Sequence, residues 1–303
     1  MMISSPAYTI QLPARFIAPG GGWTKRASAQ CAVRHRGARF DALSQFHEEK
    51  IRMPKLANKV AVITGASNPK GIGTAIARKF AAEGAGLLLV AEGPEAGLKA
   101  IADECRVLGK GVAAIEPLLL DLEQDGAAEQ MIETALARFG RVDILVNNAA
   151  ARARKRFEDF TRADFRQTVA VNLETPFFAT KAVIPAMRKQ GGGRIIHIAS
   201  QMGLVAQDER ALYGMTKAAL IYLARAMSYE LAGDGILVNA ISPGPIDTAS
   251  SDPSKVAKLM SYLRLKRRGT PEEIAEVALF LASAAPEFLI GQNIVVDGGY
   301  TLH

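Results

Sequence analysis

Short apolar segments rich in β-branched residues recur along the chain from Lys59 onward, and longer amphipathic stretches separate them. The short segments predict seven strands, at residues 59–64, 87–91, 112–116, 142–147, 194–199, 236–241 and 293–297. The longer stretches predict helices over about residues 73–83, 95–108, 124–139, 161–189, 212–232 and 271–284. Strands that alternate with helices pair in parallel, and such strands are apolar throughout because both of their faces are buried. The pattern therefore predicts an α/β fold, a doubly wound parallel seven-stranded sheet with helices on both faces.

The first 52 residues follow a different pattern, with three prolines and a run of three glycines but no regular apolar period. They hold eight Lys or Arg and three Asp or Glu, a net charge of +5, whereas residues 53–303 hold 29 and 27, a net of +2. We predict an N-terminal extension over residues 1–52 and a single domain over residues 53–303. The extension is a disordered tail, a stretch upstream of the natural start or an organelle transit peptide. The first two are favoured because Met53 and Pro54 directly precede the first strand.

Composition and charge argue against several classes of protein. The basic excess lies in the extension, so nucleic-acid binding by the domain is not indicated, and binding through the extension would weaken steeply with salt. No run of 18 apolar residues exists to cross a membrane. Two cysteines, Cys31 and Cys105, fit a reduced, cytoplasmic compartment better than a disulfide framework. The four histidines are scattered, so we expect no metal site.

A glycine-rich turn joins the first strand to the first helix, with the sequence Thr64-Gly65-Ala66-Ser67-Asn68-Pro69-Lys70-Gly71-Ile72-Gly73. Glycines at this place let a pyrophosphate approach the backbone and the N-terminus of the helix. Gly71 is not followed by the Lys-Ser/Thr pair of a P-loop. The turn therefore predicts a dinucleotide site.

Two residues give opposite indications about which dinucleotide binds. Glu92 follows the second strand, where a carboxylate can accept hydrogen bonds from the adenosine ribose and would repel a 2′-phosphate. Lys70, beside the phosphate turn, would attract that phosphate instead. We favour NAD because Glu92 would face the ribose directly, and NADP is the alternative.

Tyr213 and Lys217 lie four residues apart on a predicted helix and so share one face. A phenol ordinarily gives up its proton near pH 10, which is too high for a base at neutral pH, and a nearby ammonium stabilises the phenolate. Ser200 ends the fifth strand, at the edge of a parallel sheet where ligands bind. Asn172 belongs to the long helix before that strand. We predict that Asn172, Ser200, Tyr213 and Lys217 are the catalytic residues.

Together these motifs resemble the short-chain dehydrogenase/reductase family. The resemblance covers about residues 56–303 and is carried by Thr64-Gly65, Gly71-Ile72-Gly73, Asn147-Asn148-Ala149, Asn172, Ser200, Tyr213-x-x-x-Lys217 and Pro243-Gly244. It implies a Rossmann-type fold and an enzyme that interconverts a carbonyl and a secondary alcohol with NAD or NADP. Members of this kind include 3-oxoacyl-[acyl-carrier-protein] reductases and sugar or polyol dehydrogenases.

The resemblance also implies roles for individual residues. Tyr213 would exchange a proton with the substrate oxygen, which Ser200 would hydrogen-bond. Lys217 would assist Tyr213 and hold the nicotinamide ribose, and Asn172 would anchor a water that links Lys217 to solvent. The implied cofactor-binding residues are Gly65, Ser67, Lys70, Gly71, Ile72, Gly73, Glu92, Asp121, Leu122, Asn148, Ala149, Tyr213, Lys217, Pro243, Gly244, Ile246 and Thr248.

Three positions depart from the family pattern. The glycine turn is two residues longer than the common form, which can reshape the phosphate loop around Asn68-Pro69-Lys70. Ala150 replaces a glycine, which is a minor change. His197 stands where the family often has Asn, and we interpret it as a packed strand residue.

The substrate would be set by the loops 151–160, 201–212 and 249–268, of which the last is expected to form a lid. The basic run at 152–156 either meets a carboxylate, a phosphate or an acyl-carrier partner or is a solvated face. Asp208 and Glu209 would contact a polyol or form a loop salt bridge. We therefore predict a small polar or acyl substrate, with a non-catalytic nucleotide-binding protein of the same fold as the alternative. The resemblance and the apolar faces of helices 161–189 and 212–232 also predict a homotetramer.

Overall fold

The computed structural model describes residues 53–111, 114–248 and 262–302. The predicted extension over residues 1–52 and most of the predicted lid, residues 249–261, lie outside the described residues. The account that follows concerns the described part of the chain.

Within it, seven parallel strands form one sheet in the order β3-β2-β1-β4-β5-β6-β7. The strands are β1 (Val60–Thr64), β2 (Gly86–Ala91), β3 (Ile115–Leu119), β4 (Ile144–Asn147), β5 (Gly193–Ile198), β6 (Ile236–Pro243) and β7 (Asn293–Val296). All residues of β1, β2, β4 and β6 are buried, as expected for strands covered on both faces. The predicted doubly wound parallel sheet is confirmed.

Helices connect the strands and cover both faces of the sheet. They are α1 (Ile72–Ala82), α2 (Glu95–Leu108), α3 (Ala127–Phe139), α4 (Arg162–Val169), α5 (Thr175–Lys189), α6 (Ala211–Leu231) and α7 (Pro271–Leu279). One hydrophobic cluster packs α1, α2 and α7 against one face, with Phe80 completely buried at its centre. A second cluster packs α3, α5 and α6 against the other face through residues such as Met131 and Leu220.

Several predicted elements differ from the structure, and one is the helix predicted over residues 271–284, which ends at Leu279 and continues as a π-helical turn, Phe280–Ala284. The third strand begins at Ile115, three residues later than predicted, and runs through Pro117. Proline cannot donate to a sheet, but β3 is an edge strand in the described sheet, where that loss is tolerated. The predicted helix 161–189 is interrupted by a π-helical turn at Ala170–Glu174. Pro176 follows that turn and lacks the N–H that a regular helix would pair with the carbonyl of Asn172, so an extra residue is accommodated there.

The strand order places a topological switch between β1 and β4, whose neighbours run outward in opposite directions. In open parallel sheets the crevice at the carboxyl ends of such strands binds ligands. The loops that leave β1, β4, β5 and β6 all emerge at this edge. In the described residues no helix combines the length and apolarity needed to cross a membrane.

Candidate active site

The glycine turn after β1 is shaped by close backbone approach. Gly65 has a φ of +71°, which disfavours any side chain, and a Cβ there would lie 2.8 Å from the Cα of Ala149. A Cβ on Gly73 would lie 2.4 Å from Nδ2 of Asn148 and 2.5 Å from the carbonyl oxygen of Gly65. Helix α1 then begins at Ile72 without a side-chain cap or an acidic residue in its first turn. The free N–H groups of that turn suit an anion such as the pyrophosphate of a dinucleotide.

Residues at the end of β4 hold this turn in place. The hydroxyl of Thr64 accepts hydrogen bonds from the backbone N–H groups of Asn148 and Ala149, at 2.9 and 3.0 Å. Asn148 Nδ2 donates to the carbonyls of Thr64 and Gly65, at 2.8 and 3.1 Å. The two neighbouring strand ends at the switch point therefore form one hydrogen-bonded unit.

The longer form of the turn is itself tied down. The Asn68 side chain accepts from the backbone N–H of Lys70 at 3.0 Å and donates to the carbonyl of Thr248 at 3.3 Å. This second contact joins the phosphate turn to the segment that follows β6. One side chain thereby connects the predicted phosphate-binding turn to the predicted nicotinamide-binding segment.

The predicted adenosine-binding residues surround the carboxyl ends of β2 and β3. Glu92 is exposed directly after β2. Asp121 accepts from the backbone N–H of Glu123 and from the Gln124 side chain, both at 2.9 Å, and these bonds lower the pKa of its carboxyl. Leu122 beside it is buried.

Tyr213, Lys217 and Ser200 meet at the carboxyl end of β5. Tyr213 is 8% exposed, and the Nζ of Lys217 lies 5.7 Å from its ring centroid. Lys217 is itself buried, and its Nζ donates to the carbonyl of Ile198 at 2.7 Å. The hydroxyl of Ser200 accepts from the backbone N–H of Met202 at 3.1 Å. A phenol, an ammonium and a hydroxyl are therefore grouped at one place.

Burial has a large effect on the ammonium group of Lys217. Loss of hydration, with a smaller contribution from the positive charge of Arg152, lowers the pKa of Lys217 from 10.5 to about 7. The side chain of Lys217 is therefore only partly protonated near neutral pH.

Asn172 lies in the π-helical turn and is fully buried. Its side chain accepts from the N–H of Ala151 at 2.7 Å and donates to the carbonyl of the same residue at 3.0 Å. It also donates to the hydroxyl of Thr216 at 3.1 Å, next to Lys217. Asn172 thus joins the segment after β4 to helix α6, and its predicted water relay stays a prediction.

His197 is packed inside the sheet, as expected of a strand residue. It is fully buried on β5, with its Nδ1 3.2 Å from Nδ2 of Asn147. Its Nε2 has no hydrogen-bond partner among the described residues. Burial, and then the charge of Lys217, lower the pKa of His197 to about 3, so the ring is neutral at physiological pH.

A cavity of about 1100 Å³ opens at this edge of the sheet. Among the predicted site residues it is lined by Ile72, Asn148, Ser200, Tyr213, Lys217, Pro243, Gly244, Ile246 and Thr248. The other predicted residues do not line it, and they are Gly65, Ser67, Lys70, Gly71, Gly73, Glu92, Asp121, Leu122, Ala149 and Asn172. The cavity therefore brings together the catalytic and nicotinamide ends of the predicted site.

The cavity is also lined by Arg210, Tyr262, Arg268 and Tyr300, and of these four only Tyr300 lies outside the predicted substrate loops 201–212 and 249–268. Tyr300 follows β7, whose carboxyl end lies at the same edge as those of the other strands, so its position in the chain was a usable signal. Tyr262 and Arg268 belong to the segment predicted as a lid. Arg210 directly precedes α6, and nothing in its spacing indicated the direction of its side chain.

The fold, the strand order and the glycine turn define a dinucleotide-binding α/β protein. The sequence family described as Enoyl-(Acyl carrier protein) reductase matches residues 65–301. An uncharacterized oxidoreductase of Thermotoga maritima is 37% identical over 252 residues, which are 80% of this chain and 97% of the relative. The 3-oxoacyl-[acyl-carrier-protein] reductase FabG of the same organism is 34% identical over 252 residues, 82% of this chain and 100% of the relative.

Solved structures agree with this result. A protein from Beutenbergia cavernae, provisionally described as an NAD(P)-dependent gluconate 5-dehydrogenase and solved with bound NADP, superposes with a TM-score of 0.75 at 36% identity. The match covers 82% of this chain and 100% of that one. The chain belongs to the short-chain dehydrogenase/reductase family, and it is an NAD(P)-dependent oxidoreductase of that family.

Proposed function

We propose that the protein interconverts a carbonyl and a secondary alcohol, with Tyr213 as the general acid and base. The observation that carries the proposal is the placement of Tyr213, Lys217 and Ser200 in one cavity beside the glycine turn. When bound, the nicotinamide supplies the hydride for reduction or accepts it for oxidation. A carbonyl compound, the reduced dinucleotide and a proton then give an alcohol and the oxidised dinucleotide.

The chain supplies position and a proton. Ser200 donates a hydrogen bond to the substrate oxygen, and the phenol of Tyr213 gives its proton to that oxygen during reduction or removes it during oxidation. The Lys217 ammonium stabilises the phenolate that reduction leaves behind. Asn172 keeps Thr216, and with it this turn of α6, in place through the hydrogen bonds described above.

Exchange of Tyr213 for Phe tests the catalytic role directly. Since general acid–base groups contribute about 10²- to 10⁴-fold, Tyr213→Phe should lower kcat by at least about 100-fold. The dissociation constant of NADH, measured by its fluorescence, should rise by at most about tenfold, because the phenol is only one of the many cofactor contacts that the resemblance implies. Tyr222→Phe is the matched control, since Tyr222 lies on the same helix and is 70% exposed. Unchanged turnover in Tyr213→Phe would refute the catalytic role of Tyr213, whereas an unmodified protein that binds NADH or NADPH without turnover would support the non-catalytic alternative.

We further propose NAD as the preferred dinucleotide, because Glu92 is the acidic residue that follows β2 and Lys70 offers only an exposed charge near the turn. The NADP in the Beutenbergia cavernae structure is the reason to test this choice. We expect kcat/KM with NADH to exceed that with NADPH, and Glu92→Ser to shift the ratio toward NADPH. A preference for NADPH in the unmodified enzyme would contradict the assignment. The homotetramer, the cytoplasmic location and the small polar or acyl substrate stay predictions.

A further inference from the structure

The basic run at residues 152–156 divides into two parts. Arg152 and Arg154 line the cavity that contains Tyr213. The other two basic residues lie outside it and pair with carboxylates, Lys155 with Asp164 at 2.7 Å and Arg156 with Glu158 at 2.8 Å. The solvated-face interpretation therefore holds for one half of the run, and the other half faces the site.

Arg210 brings a third guanidinium to the lining of the same cavity. It is half-buried, and its Cζ lies 5.9 Å from the ring centroid of Tyr213. Its side chain has no hydrogen bond or ion pair with another described residue. Burial lowers the pKa of Arg210, and the charges of Arg154 and Arg152 lower it further, yet a guanidinium keeps its proton at neutral pH. A cation is thus held partly out of water, and the nearby carboxylate of Glu209 offsets only part of the unfavourable effect of burial and of the two arginines.

Among the described residues, the lining of the cavity has an excess of positive charge. Its cationic side chains are those of Arg152, Arg154, Arg210, Lys217 and Arg268, and its carboxylates are those of Asp208 and Glu209. Glu209 is exposed and reaches Arg154 only at 3.8 Å, and Arg268 pairs with Asp247 outside the cavity. Three neighbouring guanidinium groups repel one another, and an anion bound between them relieves this repulsion. Such an anion is therefore stabilised more than an anion bound at a single cation.

We propose that Arg152, Arg154 and Arg210, the arginine cluster, bind the carboxylate of a small oxo-acid or hydroxy-acid substrate. The assignment rests on the proposed function and names the substrate class of that same site. Guanidinium groups match the two oxygens of a carboxylate with paired hydrogen bonds. Arg210 lies against the ring of Tyr213, so the carboxylate sits only a few atoms from the carbon that exchanges hydride.

The same arrangement couples substrate binding to the proton donor. Arg152 is the charge that adds to burial in disfavouring the ammonium of Lys217. A carboxylate beside Arg152 offsets this repulsion and favours the charged form of Lys217 when the substrate is present. A neutral polyol would leave the repulsion in place. A thioester on a carrier protein would carry its negative charge far from Tyr213.

Binding without turnover gives the most direct test. The full-length enzyme saturated with NADH cannot reduce or oxidise a hydroxy acid, because both partners are already reduced. It is titrated calorimetrically with 2- and 3-hydroxy acids of about four to six carbons and with their primary amides. The amide has nearly the same shape but no charge. Since a hydrogen bond to a charged group is stronger than one to a neutral group, we expect an acid in this series to bind roughly tenfold more tightly than its amide, or better.

Variants assign the preference to the cluster. Arg210→Met should reduce the ratio of acid affinity to amide affinity by about tenfold and leave the affinity for NADH unchanged. We expect the same of Arg152→Met, which changes an exposed residue and leaves the core intact. Arg156→Met is the matched control from the same run and should leave the ratio unchanged, because Arg156 does not line the cavity. The proposal is overturned if the acid and its amide bind with equal affinity, or if neither of them binds detectably. An equal loss in Arg156→Met overturns it as well.

Two further measurements distinguish this proposal from a phosphoryl substrate and from a failure of the proposed function. Tighter binding of a hydroxyalkyl phosphate than of the matched carboxylate overturns the carboxylate in favour of a phosphoryl substrate. Failure of the enzyme to bind either NADH or NADPH, or full turnover in Tyr213→Phe, refutes the proposed function itself. Binding of NADH together with turnover of neutral ketones, but without an acid preference, leaves the proposed function standing and removes only the arginine cluster as a substrate site.

Discussion

Lys217 carries its ammonium into a nearly water-free part of the domain, with 1% of the residue exposed and a hydrogen bond to the carbonyl of Ile198. The folded protein favours the neutral amine, whereas the proposed chemistry uses the charged form. A residue of this kind lowers stability for the sake of function, which is common at active sites. The conflict can be measured because it depends on pH.

Lys217→Met should abolish turnover and at the same time stabilise the fold near neutral pH. The pKa of Lys217 is about 7 in the folded state and 10.5 as a reference, so between these values the unfolded chain binds the extra proton. The free energy of unfolding of the wild type should therefore rise with pH across this window, by an amount on the order of a few kcal/mol. The variant should lack this rise, as measured by urea denaturation at about pH 7 and about pH 10. Parallel pH profiles for the two proteins would show that Lys217 is hydrated in solution.

A second prediction at the scale of one residue concerns the effect of His197 on stability in acid. Its pKa is lowered from 6.5 to about 3, so the stability it contributes is complete above about pH 6.5 and is lost as pH falls toward 3. His197→Asn should flatten this acid-side fall in the free energy of unfolding. The slope is the readout, since the smaller side chain also changes packing. A variant whose acid-side slope equals that of the wild type would contradict the burial of a neutral imidazole.

At the scale of elements, the contact between the start of α1 and the end of β4 holds the dinucleotide site together. Gly73 leaves room for Asn148, which in turn bonds the carbonyls of Thr64 and Gly65. A strand end and a helix start are thereby fixed relative to each other. The free N–H groups of α1 keep their direction toward the bound anion for this reason.

Gly73→Ala should disrupt this contact, because the new methyl group would lie 2.4 Å from Nδ2 of Asn148. We expect the dissociation constant of NADH to rise at least about tenfold and the melting temperature to fall. Gly97→Ala in α2 is the control, since a Cβ there meets nothing within 4 Å. That variant should be stabilised by up to about 1 kcal/mol with unchanged NADH binding. Equal NADH affinities in the two variants would argue against a close backbone approach at Gly73.

At the scale of the whole molecule, both hydrophobic clusters and all the strands described above lie after residue 52. The family match also begins later, at residue 65. A chain that starts at Met53 should therefore keep its urea midpoint and its kcat/KM within about twofold. An aggregated or inactive shortened chain would show that residues 1–52 contribute to the fold. Salt-sensitive DNA binding that disappears with the deletion would instead assign them a separate function.

The pattern of the sequence predicted most elements to within a few residues, and it failed where one residue overrode the pattern. The predicted third strand ended before Pro117, because proline is unfavourable in a strand unless that strand lies at the edge of its sheet. Whether a strand lies at an edge is a property of the whole sheet. Pro176 has the corresponding effect on the helix before β5. At Pro117 a local rule depends on the strand order of the sheet, whereas at Pro176 the missing N–H acts within the helix itself.

The sequence by itself determined the parallel α/β sheet, the glycine turn and the helical face that Tyr213 shares with Lys217, because each of these depends on spacing within a single strand, turn or helix. Only the tertiary structure decided that Arg152 and Arg154 face the cavity while Lys155 and Arg156 pair outside it. It also decided that Lys217 is buried deeply enough to lower its pKa to about 7. Burial and electrostatic environment are sums over groups from many strands, and no single stretch of the chain contains them.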